Sequence, residues 1–190
     1  KNVKEFVNDS MVQIKYMSKT LSDFRNFLKP STKKVLFSIS KALTEINEII
    51  GKQVFYSNIK MNFNYKNKNE ELLIYGYENE FKQVLLNIIN NAKNKIVENC
   101  LPLNKKGNIN SNIKRCSTFN TIEIIDDAGA IDEKVINSIF DPYFTTKQDG
   151  MGLGLYMAKV IIEEKMRGSI TVRNDENHVI FTIKLPHKKV

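Results

Sequence analysis

The first 28 residues follow an apolar pattern with alternating spacings of four and three. The positions that share this stripe are Val3, Val7, Ser10, Ile14, Met17, Leu21, Phe24 and Leu28. Such spacing keeps one face of a supercoiling helix turned towards a partner, and Pro30 ends the helix because it lacks a backbone donor. The pattern predicts one long helix that pairs with a second helix. The alternative is an amphipathic helix that folds back on its own domain.

After Pro30, short apolar runs alternate with helical patterns, which is typical of an α+β domain. Strands are predicted over 35–39, 54–65, 72–75, 121–125, 169–173 and 179–185, with weak strand character over 109–113. Helices are predicted over 40–50, 78–97, 132–139 and 155–166. We expect Gly51 to end the helix 40–50, and the strands 54–65 and 72–75 to form a hairpin.

Composition restricts the class of protein. The 190 residues are 42% hydrophobic and 26% charged, which suits one globular domain with an appendage. The net charge of +8 would suit nucleic acid, an anionic lipid or a phosphorylated ligand, but a solvated lysine-rich surface explains it more simply.

The cysteines and the apolar runs bear on location. Cys100 and Cys116 fit neither a disulfide framework nor a metal motif, so we expect free thiols in a reducing, cytoplasmic compartment. No run approaches the ~18 apolar residues of a membrane span. Because the apolar repeat has already begun at the first residues, we expect the chain to be a piece of a longer protein. That longer protein would be either free in the cytoplasm or anchored in the inner membrane.

Three motifs carry candidate chemistry, and the first is a stripe of asparagines on the helix 78–97. Asn87, Asn91 and Asn94 stand at i, i+4 and i+7, so their amides share one face. Neutral oxygen ligands of this kind suit Mg²⁺, which usually takes few protein oxygens together with phosphates and water. The alternative is the solvent face of an asparagine-rich protein.

The second motif places Asp126 and Asp127 directly after the apolar strand 121–125. A carboxylate planted at the end of a buried strand can accept a hydrogen bond from an amino group at the floor of a pocket. The pair is also compatible with a plain turn or with half of a metal site.

The third motif is the glycine series Gly150, Gly152 and Gly154, which leads into the helix 155–166. Glycines let backbone N–H groups approach phosphate oxygens, and Lys147 adds a positive charge just ahead of them. The spacing is that of neither a dinucleotide-binding fingerprint nor a P-loop. A flexible hinge is the alternative.

In this order the motifs closely resemble the nucleotide-binding catalytic domain of sensor histidine kinases, in the Bergerat-fold ATPase family. The resemblance spans 31–186, and its most specific parts are FDPYFTTK at 140–147 and GMGLGL at 150–155. It implies a two-layer sandwich of a mixed sheet and three helices. The segment 17–30 resembles the end of the second helix of the dimerisation and phosphoacceptor domain. We therefore expect two units, 1–30 and 31–190, with one long dimerisation helix ahead of the ATP-binding domain.

The resemblance also implies roles at matching positions. Asn91 would bind Mg²⁺, Asp126 would accept from the adenine amino group, and Thr182 would support Asp126. The remaining residues of the implied ATP site are Asn87, Asn94, Ala130, Phe144, Lys147, Gly150, Gly152, Gly154 and Leu155. Phe140 and Phe144 would anchor the segment 140–147, which we call the lid segment.

Two positions depart from the family pattern. Asp127 stands where an asparagine is usual, and Ala130 stands where a second glycine is expected. An added methyl group, or a backbone angle that only glycine adopts, would weaken nucleotide binding. A degenerate nucleotide-binding or scaffold domain with weakened ATP binding is therefore the alternative function.

The implied activity is transfer of the ATP γ-phosphoryl to a histidine that this chain does not contain. His178 and His187 look like surface residues, so we expect no autophosphorylation. The implied partners are a second copy, paired through the helix 1–30, and a response-regulator receiver domain, with no nucleic acid. A chaperone or topoisomerase type is disfavoured because Glu80 lies too far ahead of Asn91 for the catalytic glutamate.

Overall fold

The computed structural model describes Val7, Met11 and Ile14 and the ranges 29–66, 71–100, 105–147 and 150–187. Val7, Met11 and Ile14 are helical and half-exposed, but most of the predicted helix 1–28 lies outside the described residues. The paired helix, the boundary after residue 30 and the homodimer therefore stay predictions. Within the described part of the chain, no helix is long and apolar enough to cross a membrane.

The described residues from 29 onwards contain seven strands and three α-helices. The strands are β1 Val35–Ser38, β2 Ile59–Tyr65, β3 Leu73–Gly76, β4 Gly107–Arg115, β5 Phe119–Asp126, β6 Ser169–Asp175 and β7 His178–Pro186. The helices are α1 Ile39–Tyr56, α2 Glu78–Cys100 and α3 Gly154–Lys159, which continues as a π-helical segment, Val160–Lys165.

One mixed sheet organises the domain. Its five strands run in the order β2-β4-β5-β7-β6, with β2 parallel to β4 and every other pair antiparallel. Burial alternates along β4 because Ile109, Ser111 and Ile113 face the helices while the residues between them face outwards. The predicted fold class, a mixed sheet layered with three helices, is confirmed.

The core lies between this sheet and α2, whose apolar stripe is buried along its whole length. Phe81, Leu85, Ile88 and Ile89 are fully buried, so truncating one of them to alanine should cost about 2–5 kcal/mol. The small β1–β3 ladder covers the start of the helix, where the Phe37 and Phe81 rings lie 5.4 Å apart. Apolar packing thus fixes the position of the helix that carries the asparagine stripe.

The chain after Pro30 is tied to the beginning of α2. The Ser31 hydroxyl accepts a hydrogen bond from the Asn79 backbone N–H at 3.3 Å, and the Glu80 carboxylate accepts from the Ser31 N–H at 3.2 Å. The Asn79 amide also donates to the Lys29 carbonyl at 2.8 Å. The Asn79 N–H bond satisfies one of the donors that a helix start leaves free, and the other two bonds attach residues 29–31 to the same turn of α2.

Two predictions about the first half of the domain are wrong. Gly51 does not end a helix, because α1 continues to Tyr56 and buries Val54 on the stripe of Ile46 and Ile50. β2 therefore begins at Ile59, after Asn58 takes a left-handed φ of 57°. The stripe repeats every four residues, which the strand prediction over 54–65 overlooked.

The predicted hairpin between 54–65 and 72–75 does not form. β2 pairs in parallel with β4, and β3 pairs antiparallel with β1. The predicted helix 132–139 also shortens to a 3-10 turn, Ile136–Ser138. The weak strand signal near 109–113 instead belongs to a full nine-residue strand, β4.

Candidate functional site

Asp126 is a buried carboxylate at the end of β5. It is 4% exposed, and its carboxylate accepts a hydrogen bond from the Ala128 backbone N–H at 3.2 Å. Burial raises the pKa of Asp126 to about 6, the Ala128 hydrogen bond opposes that shift, and the negative charge of Asp127 adds to it. A carboxylate kept so far from water suits recognition of a specific hydrogen-bond donor.

The strand register identifies the neighbours of Asp126. It pairs with Val179 on β7 and with Ile109 on β4, so these three side chains share the helix-facing side of the sheet. Thr182 instead pairs with Glu123, and both point to the opposite side. The predicted support of Asp126 by Thr182 is therefore wrong, because the residue beside Asp126 on β7 is Val179, which has no hydrogen-bonding side chain.

The chain after β5 forms a turn, residues 126–131, which we call the Asp126 turn. The Asp127 carboxylate accepts two hydrogen bonds from Asn108 on β4, one from the backbone N–H and one from the side-chain amide, both at 2.7 Å. The left-handed φ of this turn falls on Gly129, at 103°, and not on Ala130. Asp127 thus has matched donors, and Ala130 avoids the backbone angle that would favour glycine.

The asparagine stripe of α2 faces the glycine series and the lid segment. The Asn87 amide donates to the Gly154 carbonyl at 3.2 Å, and the Asn91 carbonyl oxygen accepts from the Lys147 ammonium at 2.8 Å. Asn94 is exposed one turn further on. The structure therefore brings together two of the three motifs predicted from the sequence.

Lys147 lies at the end of the lid segment, in a turn closed by Thr145. The Thr145 hydroxyl accepts from the Lys147 backbone N–H at 3.0 Å. Partial burial lowers the pKa of Lys147, and nearby Lys93 and Lys95 act in the same direction, while Glu98 opposes them. A lysine placed among other cations is suited to meeting a polyanion such as a triphosphate.

Gly152 and Gly154 have different structural needs. Gly152 has a φ of 67°, and a Cβ there would overlap the Tyr143 backbone, so only glycine fits. Gly154 begins α3 and has ordinary space, since its added Cβ would meet Asn87 Cγ at 3.7 Å. Gly150 packs on the Thr145 side chain.

Aromatic contacts attach the lid segment to the domain. The Phe140 ring meets Phe181 of β7 edge-on at 6.3 Å, and the Lys159 ammonium lies 5.8 Å from the Phe140 ring centroid. Phe144 and Leu155 are half-buried and pack against the core. Tyr143, between the two phenylalanines, is 76% exposed.

Besides Asn108, sequence reasoning missed two amides that contact the Asp126 turn. The Asn99 side chain, at the end of α2, donates to the Ala128 carbonyl at 2.7 Å. Asn174 of β6 accepts from the Ile131 N–H at 2.9 Å and donates to the Ile131 carbonyl at 2.8 Å. Their partners lie 29 and 43 residues away along the chain, so no local pattern marks them.

Comparison with protein families matches residues 76–189 to the family described as histidine kinase-, DNA gyrase B- and HSP90-like ATPases. The match runs from the start of α2 through the Asp126 turn, the lid segment and the glycine series, and it covers more than half of the chain. The chain belongs to this ATPase family.

Relatives of this chain include a sporulation kinase and a sensor histidine kinase. Sporulation kinase A of Bacillus subtilis is 29% identical over 171 residues, which cover 88% of this chain and 27% of that protein. Sensor histidine kinase ZraS of Salmonella typhimurium is 40% identical over 106 residues, which cover 55% of this chain and 21% of that protein. The chain thus spans about a quarter of the length of these two relatives.

Solved structures agree with this assignment. The catalytic domain of histidine kinase ThkA superposes with a TM-score of 0.69 at 27% identity, covering 82% of this chain and 96% of that domain. The resemblance to sensor histidine kinase catalytic domains is confirmed. Membership of this ATPase family implies that the domain binds a nucleotide.

The residues of this ATPase domain fit a nucleotide with its metal. Among the described residues, no group of three or more His, Cys, Asp or Glu could hold a metal ion. Amide oxygens together with phosphates are ligands that Mg²⁺ accepts, and Asn91 presents such an oxygen. The Asn91 oxygen already accepts from a cation, the Lys147 ammonium. The buried Asp126 carboxylate accepts a hydrogen bond from the Ala128 N–H.

Proposed function

We propose that this chain is the ATP-binding catalytic domain of a sensor histidine kinase, and that it delivers the γ-phosphoryl of ATP to a histidine outside the chain. The observation that carries the proposal is the buried Asp126 carboxylate at the end of β5, within the residues that match the ATPase family. Recognition of the base is the first step that this arrangement supports.

Asp126 would read adenine through its exocyclic amino group. The ionised carboxylate is an acceptor only, so it favours a base that presents a donor and disfavours guanine, whose carbonyl oxygen takes the corresponding position. Because Ala128 occupies one acceptor direction of the carboxylate, the free directions remain for the base. Val179 forms an apolar neighbour against which a flat base can lie.

The phosphates would lie between the asparagine stripe and the lid segment. Asn91 would hold Mg²⁺ through its side-chain oxygen, with Lys147 released from that oxygen to meet the phosphates. Asn87 would keep α3 against α2 through the Gly154 carbonyl. Bound Mg²⁺ neutralises the phosphate charge, which together with positioning is the main requirement of phosphoryl transfer.

The partners follow from the same proposal. A crystal structure contains histidine kinase ThkA in complex with the response regulator protein TrrA. An equivalent receiver domain would accept the phosphoryl group in a longer protein that contains this chain. The helix predicted over 1–30 would provide the homodimer. Glu80 lies in the first turn of α2, where one oxygen of its carboxylate accepts from the Ser31 N–H.

The test is calorimetric titration with a non-hydrolysable ATP analogue, with and without Mg²⁺. We expect magnesium-dependent binding that Asp126→Asn weakens by at least about tenfold, since one charged hydrogen bond is worth about 1.5–3 kcal/mol. Glu164→Gln, an exposed carboxylate on the far part of the α3 segment, is the matched control and should bind as the parent does. Equal binding by Asp126→Asn and the parent would refute the adenine assignment.

The same titration addresses the degenerate alternative. The double variant Asp127→Asn, Ala130→Gly should leave the affinity within about threefold, because Asp127 is already satisfied by Asn108 and Ala130 has no left-handed φ. A sharp gain in affinity would instead support a domain with impaired nucleotide binding.

A further inference from the structure

Amide side chains hold the Asp126 turn from two further elements. Asn174 of β6 makes two hydrogen bonds to one residue, accepting from the Ile131 N–H at 2.9 Å and donating to the Ile131 carbonyl at 2.8 Å. Asn99 of α2 donates to the Ala128 carbonyl at 2.7 Å. With the Asn108–Asp127 pair on β4, the turn is tied to one helix and to two strands besides its own.

The strand register explains why Asn174 reaches the far end of the turn. Asp126 pairs with Val179, and Val179 pairs with Asn174, so the three side chains form one row across β5, β7 and β6 on the helix-facing side. Neighbouring strands are about 4.8 Å apart, so Asn174 lies roughly 10 Å from Asp126. The turn leaves the sheet at Asp126 and meets it again at Asn174, with the buried Val179 between them.

The chemistry of the amide suits this task. A primary amide carries an acceptor oxygen and a donor NH₂ group side by side, so it can pair with both polar groups of a single backbone residue, whereas an ionised carboxylate only accepts. The pair fixes the orientation of the peptide groups at Ile131. Asn99 fixes the Ala128 carbonyl, and the N–H of the same residue is bonded to the Asp126 carboxylate.

We propose that Asn174 and Asn99 are positioning residues for base recognition: they hold the Asp126 turn so that the Asp126 carboxylate meets the adenine amino group. This inference rests on the proposed nucleotide site. Neither amide touches the nucleotide; each acts through the backbone of the turn, at Ile131 and at Ala128. Their loss lets the carboxylate reorient, which weakens binding of adenine without altering the groups that hold the phosphates.

The discriminating readout is the ratio of affinities for two nucleotides that share the same phosphates. Titration of the whole chain with Mg·ADP and Mg·GDP gives this ratio for the parent and for each variant. We expect Asn174→Ala to raise the Kd for ADP about tenfold and to leave that for GDP unchanged, since two neutral hydrogen bonds are lost. Asn99→Ala, which removes one bond from an exposed side chain, should raise the Kd for ADP about threefold.

Asn62→Ala is the matched control. Asn62 lies on β2 of the same sheet and donates one side-chain hydrogen bond to Asn110 at 2.8 Å, away from the turn. The ratio of the affinities for ADP and GDP should be the same for Asn62→Ala as for the unsubstituted chain. A general loss of packing would raise both Kd values together, so the ratio separates positioning from damage to the fold.

The outcomes are distinct. Unchanged ADP affinity in both amide variants, or equal losses for ADP and GDP, would overturn the positioning role while leaving the nucleotide site intact. If the parent itself shows no preference for ADP, or if Asp126→Asn keeps that preference, the proposed function fails and the inference fails with it. Should Asn174→Ala not fold, the exposed Asn99→Ala decides the question by the same ratio.

Discussion

Asp126 lies in an environment that disfavours its own charge. Burial raises its pKa to about 6 from 3.8, so the folded chain binds a proton here more tightly than the unfolded chain does. The stability that this proton contributes is complete below about pH 4 and is lost as the pH rises through about 6. Above that pH the domain keeps a buried negative charge, which suits ligand recognition better than stability.

Asp126→Asn should therefore bind nucleotide poorly and yet be more stable than the parent near neutral pH. The gain in the free energy of unfolding should approach about 3 kcal/mol at about pH 7.5, because the pKa of Asp126 is about 6 in the folded chain and 3.8 ordinarily. The gain should vanish near about pH 4, where the carboxyl group is protonated in the folded chain. Thermal melts at the two pH values measure the difference. A variant less stable than the parent at both would show that the carboxylate is required for the fold.

Gly152 gives a second prediction at the residue scale. Gly152→Ala should destabilise the domain by about 1–2 kcal/mol, because its φ of 67° is strained for alanine and the new methyl group meets the Tyr143 backbone. Gly154→Ala is the matched control, since its Cβ has ordinary contacts and alanine favours the helix. Urea unfolding compares the two, and equal destabilisation would contradict the assigned geometry.

At the scale of elements, α2 joins the layers of the domain. Its buried Lys82 forms ion pairs with Glu45 of α1 and with Glu78 on its own helix, the latter at 2.8 Å. Burial lowers the pKa of Lys82, but the two carboxylates outweigh it and the net direction is upwards. The same helix presents Asn87 and Asn91 to the proposed phosphate site, so the α1–α2 contact supports the site indirectly.

Removing the Lys82 charge should be costly. Lys82→Met leaves two partly buried carboxylates without their partner, and we expect a loss of about 1–3 kcal/mol in the free energy of unfolding. Lys95→Met is the control on the same helix, because its pair with Glu98 is exposed, and it should change stability by less than about 0.5 kcal/mol. Equal effects in denaturant unfolding would argue against a structural role of the buried pair.

At the scale of the whole molecule, local patterns predicted α2, β5 with its terminal Asp126, and the glycine series, because each is encoded by contiguous residues. Pairing between distant segments was not predictable from the local sequence. β2 pairs with β4 instead of forming a hairpin with β3. The β5–β7 register places Thr182 on the opposite face of the sheet from Asp126. Asn174 was missed for the same reason, since only the sheet order brings β6 to the end of the Asp126 turn. Local sequence indicated the candidate binding side chains better than the side chains that hold them in place.

The proposed transfer to a histidine outside the chain leads to a prediction for the whole chain. Incubation with labelled ATP should leave no acid-labile phosphate on the chain, whereas a supplied phosphoacceptor domain carrying the histidine should become labelled. His178→Ala and His187→Ala should behave as the parent does. Acid-labile label on this chain that either substitution removes would contradict the proposed direction of transfer.

The most direct test of the account is a crystal structure of the chain with an ATP analogue and Mg²⁺. We expect the adenine amino group within hydrogen-bond distance of the Asp126 carboxylate, the metal on the Asn91 side-chain oxygen, and Lys147 moved from that oxygen to the phosphates. A nucleotide bound elsewhere, or one whose base makes no contact with Asp126, would contradict it.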